Sequence, residues 1–273
     1  MELSKLTKKR IHEYLKTGKR FDGRDLLDFR KIEIDTNVIK NADGSARVKF
    51  GDTDVIAGVK LDVTAPFPDS EDEGVLITTA EFLPLSSPRF EPGPPQIDAV
   101  ELARIVDRGL RESGFIEFDK LSISKEKVWS IFVDIYPMNA DGNLIDAGAL
   151  AAVLALKTAR LPKYDEKKER VVFGELTEKK LPLTNKMPLN ITFYKIGKNI
   201  IIDPVQEEED SSEARISIAA SKDKEVLLHA LQKGGENVFT EEEIDIIIEN
   251  AEKKQDILAT KVKEKLEKGL KSK

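Results

Sequence analysis

Between residues 84 and 95 the chain carries five prolines: Pro84, Pro88, Pro92, Pro94 and Pro95. Each ring fixes φ and removes a backbone donor, so this stretch is excluded from helix interiors and central strands and reads as a stiff, extended connector. It divides two kinds of pattern. Ahead of it, Phe29–Thr36 alternates, Ala46–Phe50 is bracketed by Asn41-Ala-Asp-Gly44 and Phe50-Gly-Asp-Thr53, and Asp54–Val63 and Val75–Leu83 continue as an N-terminal meander of strands. Behind it, Ile97–Ser113 places Val100, Ala103 and Leu110 at helical spacing, with Ile105 and Val106 beside them and Gly114 as a stop.

The rest of the chain repeats that alternation. Lys5–Thr17 reads as a short helix with Ile11 and Leu15 on one face and Gly18 beyond its end. Val128–Tyr136 is a strand, and the turn Ala140-Asp-Gly-Asn143 feeds a helix of small residues from Asp146 to Arg160, suited to close packing on a sheet. A charged connector at 163–170 is followed by strands at Leu189–Ile196, Asn199–Asp203 and Ala214–Ala220, and then by two helices. The second helix starts at the capping pattern Thr240-Glu-Glu-Glu243 and keeps Ile244, Ile247, Ile248, Ala251, Leu258, Val262 and Leu266 on one stripe. This is an α+β layout written twice, with the boundary between residues 163 and 187, where Pro182 and Pro188 interrupt the periodicity. The expected division is an N-terminal helical extension at 1–28, one unit at 29–186 and a second at 187–273 with the long terminal helix.

Composition bounds the chemistry. With 273 residues, 40% apolar and 34% charged, the chain can bury a sizeable core, and disorder is excluded. No apolar run approaches the roughly 18 residues of a membrane span, and Met1–Arg10 lacks a signal-type apolar core, so a cytoplasmic protein is expected. Without cysteine there are no disulfides, thiolate nucleophiles or cysteine zinc sites, and His12 and His229 are far apart in sequence. Chemistry is left to carboxylates, Lys/Arg and hydroxyls. The net charge of −6 speaks against a polyanion partner. Residues 1–24 nevertheless hold eight Lys/Arg against three acids, a local +5.

Three clusters can carry function. Asp203-Pro-Val-Gln-Glu-Glu-Glu-Asp210 ends a strand and reads either as carboxylates for Mg²⁺ or as an acidic, solvated loop. Arg104, Arg108 and Arg111 stand on one helix face and would track phosphates bidentately. Glu101 and Glu112 are spaced to neutralise the first two as intrahelical pairs, which is the competing explanation. Arg20-Phe-Asp-Gly-Arg24 with Arg30 either pins the N-terminal helix to the sheet or binds a ligand.

In order and spacing, Arg20-Phe-Asp-Gly-Arg24, Phe50-Gly-Asp-Thr-Asp-Val55, Glu101-Leu-Ala-Arg-Ile-Val-Asp-Arg-Gly-Leu-Arg111, Ala140-Asp-Gly142 and Ile202-Asp203 resemble the RNase PH superfamily across roughly residues 20–220. The proline connector and the long charged C-terminal helix look most like its non-catalytic ring subunit of the archaeal exosome. The resemblance implies an RNase PH-like α+β fold, two β-sheet/helix layers in a duplicated arrangement. Active relatives degrade RNA from the 3′ end by phosphorolysis, with arginines holding inorganic phosphate and two aspartates, six apart, supporting the metal and the leaving oxygen. Matched to that pattern, a phosphate-binding Arg becomes Asp98, a second anchoring Arg becomes Ile145, and Asp203 keeps the first aspartate while Glu209 stands at the second. The family's further acid, twelve residues after Asp203, is Arg215 here.

A chain that is catalytically dead alone, with no catalytic residue, metal or cofactor of its own, is therefore expected. The resemblance further implies that it alternates with a catalytic RNase PH-like subunit as three heterodimers in a hexameric ring, binds RNA-binding cap proteins, and offers Arg104, Arg108 and Arg111 to single-stranded RNA. The alternative is an active phosphorolytic exoribonuclease using Asp203 with Glu209 or Asp210. A scaffold without RNA contact is a third reading.

Overall fold

The computed structural model describes residues 3–271, and the side chains of residues 3–266. Helix α1 (Lys5–Leu15) starts where the Ser4 hydroxyl accepts from the Thr7 N–H, and it turns Ile11 and Leu15 inward. Strands β1 (Ile32–Thr36), β2 (Gly44–Phe50) and β3 (Thr53–Thr64) form the meander, and β4 (Val75–Ala80) precedes the proline connector. Along β3 the alternation is strict: Val55, Ala57, Val59 and Leu61 are fully buried on one face. Helix α2 (Ile97–Glu112) follows the connector, then β5 (Ser122–Ser124) and β6 (Lys127–Asn139). Order in this sheet is β1-β2-β3-β6-β4 with β5 beside β6, and only the β4–β6 pair is parallel. A parallel neighbour requires a crossover, which the connector and α2 supply.

Helix α3 (Leu144–Thr158) is apolar all round, and its residues from Ile145 to Leu156 are all buried. It packs on β2 and β3 of the first sheet and on β9 (Leu189–Ile196) of the second, which makes it the shared core. The second sheet runs β10-β9-β11-β12, all antiparallel, from β10 (Asn199–Ile202), β11 (Ala214–Lys222) and β12 (Val226–Gly235). Beyond β10 a single turn, α4 (Gln206–Glu209), leads to β11, and α5 (Glu241–Lys271) closes the chain, burying Ile247, Ala251, Leu258 and Val262. No helix among the described residues is long and apolar enough to cross a membrane.

The structure corrects the sequence reading in three places. The charged stretch 163–170 is not a bare connector: β7 (Arg160–Asp165) and β8 (Arg170–Lys180) pair as a two-stranded hairpin turning within it. Most of β8 is exposed, so one-sided burial never imprints an alternation on its sequence. The first of the two closing helices is instead strand β12, an edge strand whose Leu227, Leu228 and Leu231 face solvent and blur the period. Val100, expected on the inner stripe of α2, is 45% exposed, and Ala99, Leu102, Ala103, Val106 and Leu110 face the core.

Candidate functional site

Asp203, just past the end of β10, has no exposed surface, and a carboxylate there must be surrounded by donors. Its Oδ2 accepts from the Arg30 backbone N–H at 2.7 Å, Arg30 Nε at 3.0 Å and Arg24 Nη1 at 3.3 Å. Its Oδ1 accepts from Arg30 Nη2 at 2.8 Å and Asn143 Nδ2 at 2.9 Å. Burial works against the charge on Arg30, but the hydrogen bonds and charge of Asp203 outweigh it and raise the guanidinium's pKa. Arg20, 1% exposed, donates to the carbonyls of Ile202 and Asp203 at 2.8 Å and is paired with Glu208. These arginines therefore bolt the N-terminal segment to the second sheet. The Asp203–Asp210 segment is more than a solvated loop, because its first carboxylate and Glu208 are spent on buried arginines.

On the other side of α4 lies a half-open cleft of about 290 Å³, lined among others by Asp98, Glu101, Ile145, Glu209, Asp210, Arg89, Arg215 and the pair Phe82 and Phe90. It brings together Asp98, Ile145 and Glu209, while Asp203 is not among its lining residues. Both arginines of the lining are committed. Arg89 grips Asp210 bidentately at 2.7 and 2.5 Å, and Arg215 reaches Glu101 at 2.5 Å. Although burial opposes it, Arg89 and the Gln206 amide hold the Asp210 carboxyl below its ordinary pKa. Glu209 accepts from the Asn143 N–H at 2.8 Å and from the Tyr194 hydroxyl at 3.0 Å, and burial pushes its pKa up despite both donors. A carboxylate of the chain itself thus sits at the N-terminal end of α3, where an external anion would otherwise find a donor.

The active relatives' two aspartates imply a divalent cation, but the residues present do not fit one. Both oxygens of Asp203, of Glu209 and of Asp210 already accept hydrogen bonds from protein donors. Among the described residues, no group of three or more His or acidic side chains is disposed to hold a metal.

The arginine row on α2 divides. Arg111 pairs with Asp107 at 3.1 Å and donates to the Leu76 carbonyl at 3.0 Å. Arg104 and Arg108 are exposed and enter no ion pair among the described residues. The pairings that would have explained them are not made: Glu101 turns to Arg215, and among the described residues Glu112 forms no ion pair with Arg108.

The chain matches the 3′ exoribonuclease family, domain 1, over residues 28–162 and domain 2 of the same family over residues 186–254. It belongs to the RNase PH family. Within that family it is 46% identical over 255 residues to the exosome complex component Rrp42 of Methanosarcina mazei, covering 91% of this chain and 92% of that one. Among solved structures it resembles a chain of the Archaeoglobus fulgidus exosome with RNA bound to the active site, with a TM-score of 0.85, 39% identity and coverage of 94% and 98%. It also resembles a chain of an archaeal exosome core, with a TM-score of 0.77, 37% identity and coverage of 90% and 91%.

Two parts of this RNase PH-like site escaped sequence reasoning. The Arg89–Asp210 clasp joins residues 121 apart, and the Glu209–Asn143 contact joins residues 66 apart. Neither leaves a local spacing signal. The coupling of Arg20, Arg24 and Arg30 to the strand end was foreshadowed by their clustering beside a turn.

Proposed function

We propose that this chain is the non-catalytic RNase PH-like subunit of an archaeal exosome ring, a cytoplasmic assembly that degrades RNA 3′→5′ by phosphorolysis. The observation that carries the reading is the charge of the cleft. Its two arginines are neutralised by its own carboxylates, and its lining includes Asp98 and Ile145, which the sequence resemblance matches to phosphate-anchoring arginines of active relatives. A phosphate entering would have to break an Arg–carboxylate pair and approach Asp98, and phosphorolysis without bound phosphate has no nucleophile.

In this reading three copies alternate with three catalytic RNase PH-like partners, RNA-binding cap proteins sit on the ring, and this chain shapes the partner's active site. Arg104 and Arg108 are its contacts to the backbone of single-stranded RNA, and Arg111 is the weaker candidate because Asp107 already holds it. The exposed Ile97 and Val100 continue the Arg104 face and suit an interface with a partner subunit.

The test incubates the purified chain with single-stranded RNA, inorganic phosphate and Mg²⁺, alone and after mixing with the catalytic subunit. Nucleoside diphosphates are expected only from the mixture. Their release by the chain alone would establish the active exoribonuclease instead.

A further inference from the structure

Two aromatic rings stand in solvent at the N-terminal end of the molecule. Tyr14, in the last turn of α1, and Phe21, in the loop after it, are 48% and 55% exposed. Their ring centroids lie 4.5 Å apart with planes 33° from parallel, so each covers one face of the other and leaves the opposite face open.

The platform is held rigidly. Behind it α1 buries Ile11 and Leu15 against Tyr194, Ile196 and Ile201. Phe21 sits at the tip of a loop clamped at both ends, where Arg20 is fixed by Glu208 and two carbonyls, and Arg24 by Asp22 and Asp203. Firm anchoring is spent on presenting two apolar rings to water, and their own burial does not explain it.

The surrounding charge is one-sided. Across residues 3–24, Glu13 lies beside Lys9 and Asp22 is paired with Arg24. Lys5, Lys8, Arg10 and Lys16 are exposed and enter no ion pair among the described residues. Arg10 is one helical turn before Tyr14 and so shares its face. Arg10, unpaired among the described residues, beside a stacked aromatic pair, on a helix that carries further exposed cations on its other faces, matches a single-stranded polynucleotide, whose bases stack on rings while its phosphates follow positive charge.

The geometry points to a second RNA contact of this chain: Tyr14 and Phe21 form a stacking platform, with Arg10 on the same helix face, for an unpaired base of single-stranded RNA. It goes beyond the Arg104 and Arg108 stripe and uses none of its residues. Because the rings are solvent-exposed, their replacement leaves the core intact.

The full chain is titrated with short oligoadenylate RNA at low salt, comparing wild type, Y14A/F21A, F21W and F21W in an R104E/R108E background. Y14A/F21A is expected to bind about tenfold more weakly with an unchanged melting temperature. Tryptophan emission of F21W should be quenched by oligoadenylate, equally in the R104E/R108E background, and not by inorganic polyphosphate. Wild-type affinity of Y14A/F21A, absence of quenching, equal quenching by polyphosphate, or loss of quenching with R104E/R108E would each overturn the platform. So would a Y14A/F21A variant that loses self-association or protein pairing while keeping its RNA affinity, since the face would then be a protein contact. Failure of the ring reading would appear in the phosphorolysis assay and leave these results untouched.

Discussion

Asp203 is a buried carboxylate held entirely by protein donors. With no exposed surface and five contacts from Arg24, Arg30 and Asn143, it compensates buried guanidinium charge together with Asp22 and Asp141. Removing one partner of such a buried pair is costly, so Asp203→Asn should lower the unfolding free energy by about 3–5 kcal/mol in a denaturant titration. Asp146 behaves in the opposite sense. It is 1% exposed, and burial pushes its carboxyl up to about 7, against the donors of Thr192. An unfolded aspartate titrates near about 3.9, so between roughly pH 4 and 7 the unfolded chain releases a proton that the folded chain keeps. Stability contributed by this site is therefore full below that window, falls as pH rises through it, and is lowest above about pH 7. Asp146→Asn can accept from the Thr192 N–H and donate to its hydroxyl. It should melt higher than wild type at pH 8, with a stability gain of at most about 4 kcal/mol that vanishes toward pH 4. Of this residue-scale chemistry the sequence announced Asp203 and its arginines by clustering. It did not announce Asp146, whose only local sign is membership of an apolar helix.

Helix α3 is where the elements become one molecule, because its small residues let β2 approach closely. A Cβ at Gly44 would stand 2.4 Å from the Ala155 carbonyl oxygen and 2.7 Å from the Ala159 backbone. Gly44→Ala must therefore push β2 off α3 and should cost about 1–3 kcal/mol, read as a lowered denaturation midpoint. Helices α2, α3 and α5 and strands β3, β6 and β9 were legible because each buries a continuous face or stripe, and burial writes periodicity into sequence. The β7–β8 hairpin and β12 were not, because they lie at the margin of the packing. β12 is the free edge of its sheet with Leu227, Leu228 and Leu231 outward, and such a pattern is read only once its neighbour β11 is known.

For the whole molecule, a net charge of −6 conceals a basic N-terminal segment and, on α2, the exposed Arg104 and Arg108, which enter no ion pair among the described residues. If Arg104 and Arg108 contact phosphates, R104E/R108E in the assembled ring should weaken RNA binding across all sequences. The slope of log affinity against log salt should become shallower by about 2. Unchanged binding at moderate salt would leave the chain a scaffold. The deeper claim concerns the cleft, in which every arginine already has a carboxylate. Titration of the isolated chain with inorganic phosphate, followed by ³¹P NMR line broadening, tests it most directly. No saturable binding is expected at millimolar phosphate, and tight capture abolished by Arg89→Ala would show the cleft to be a working anion site.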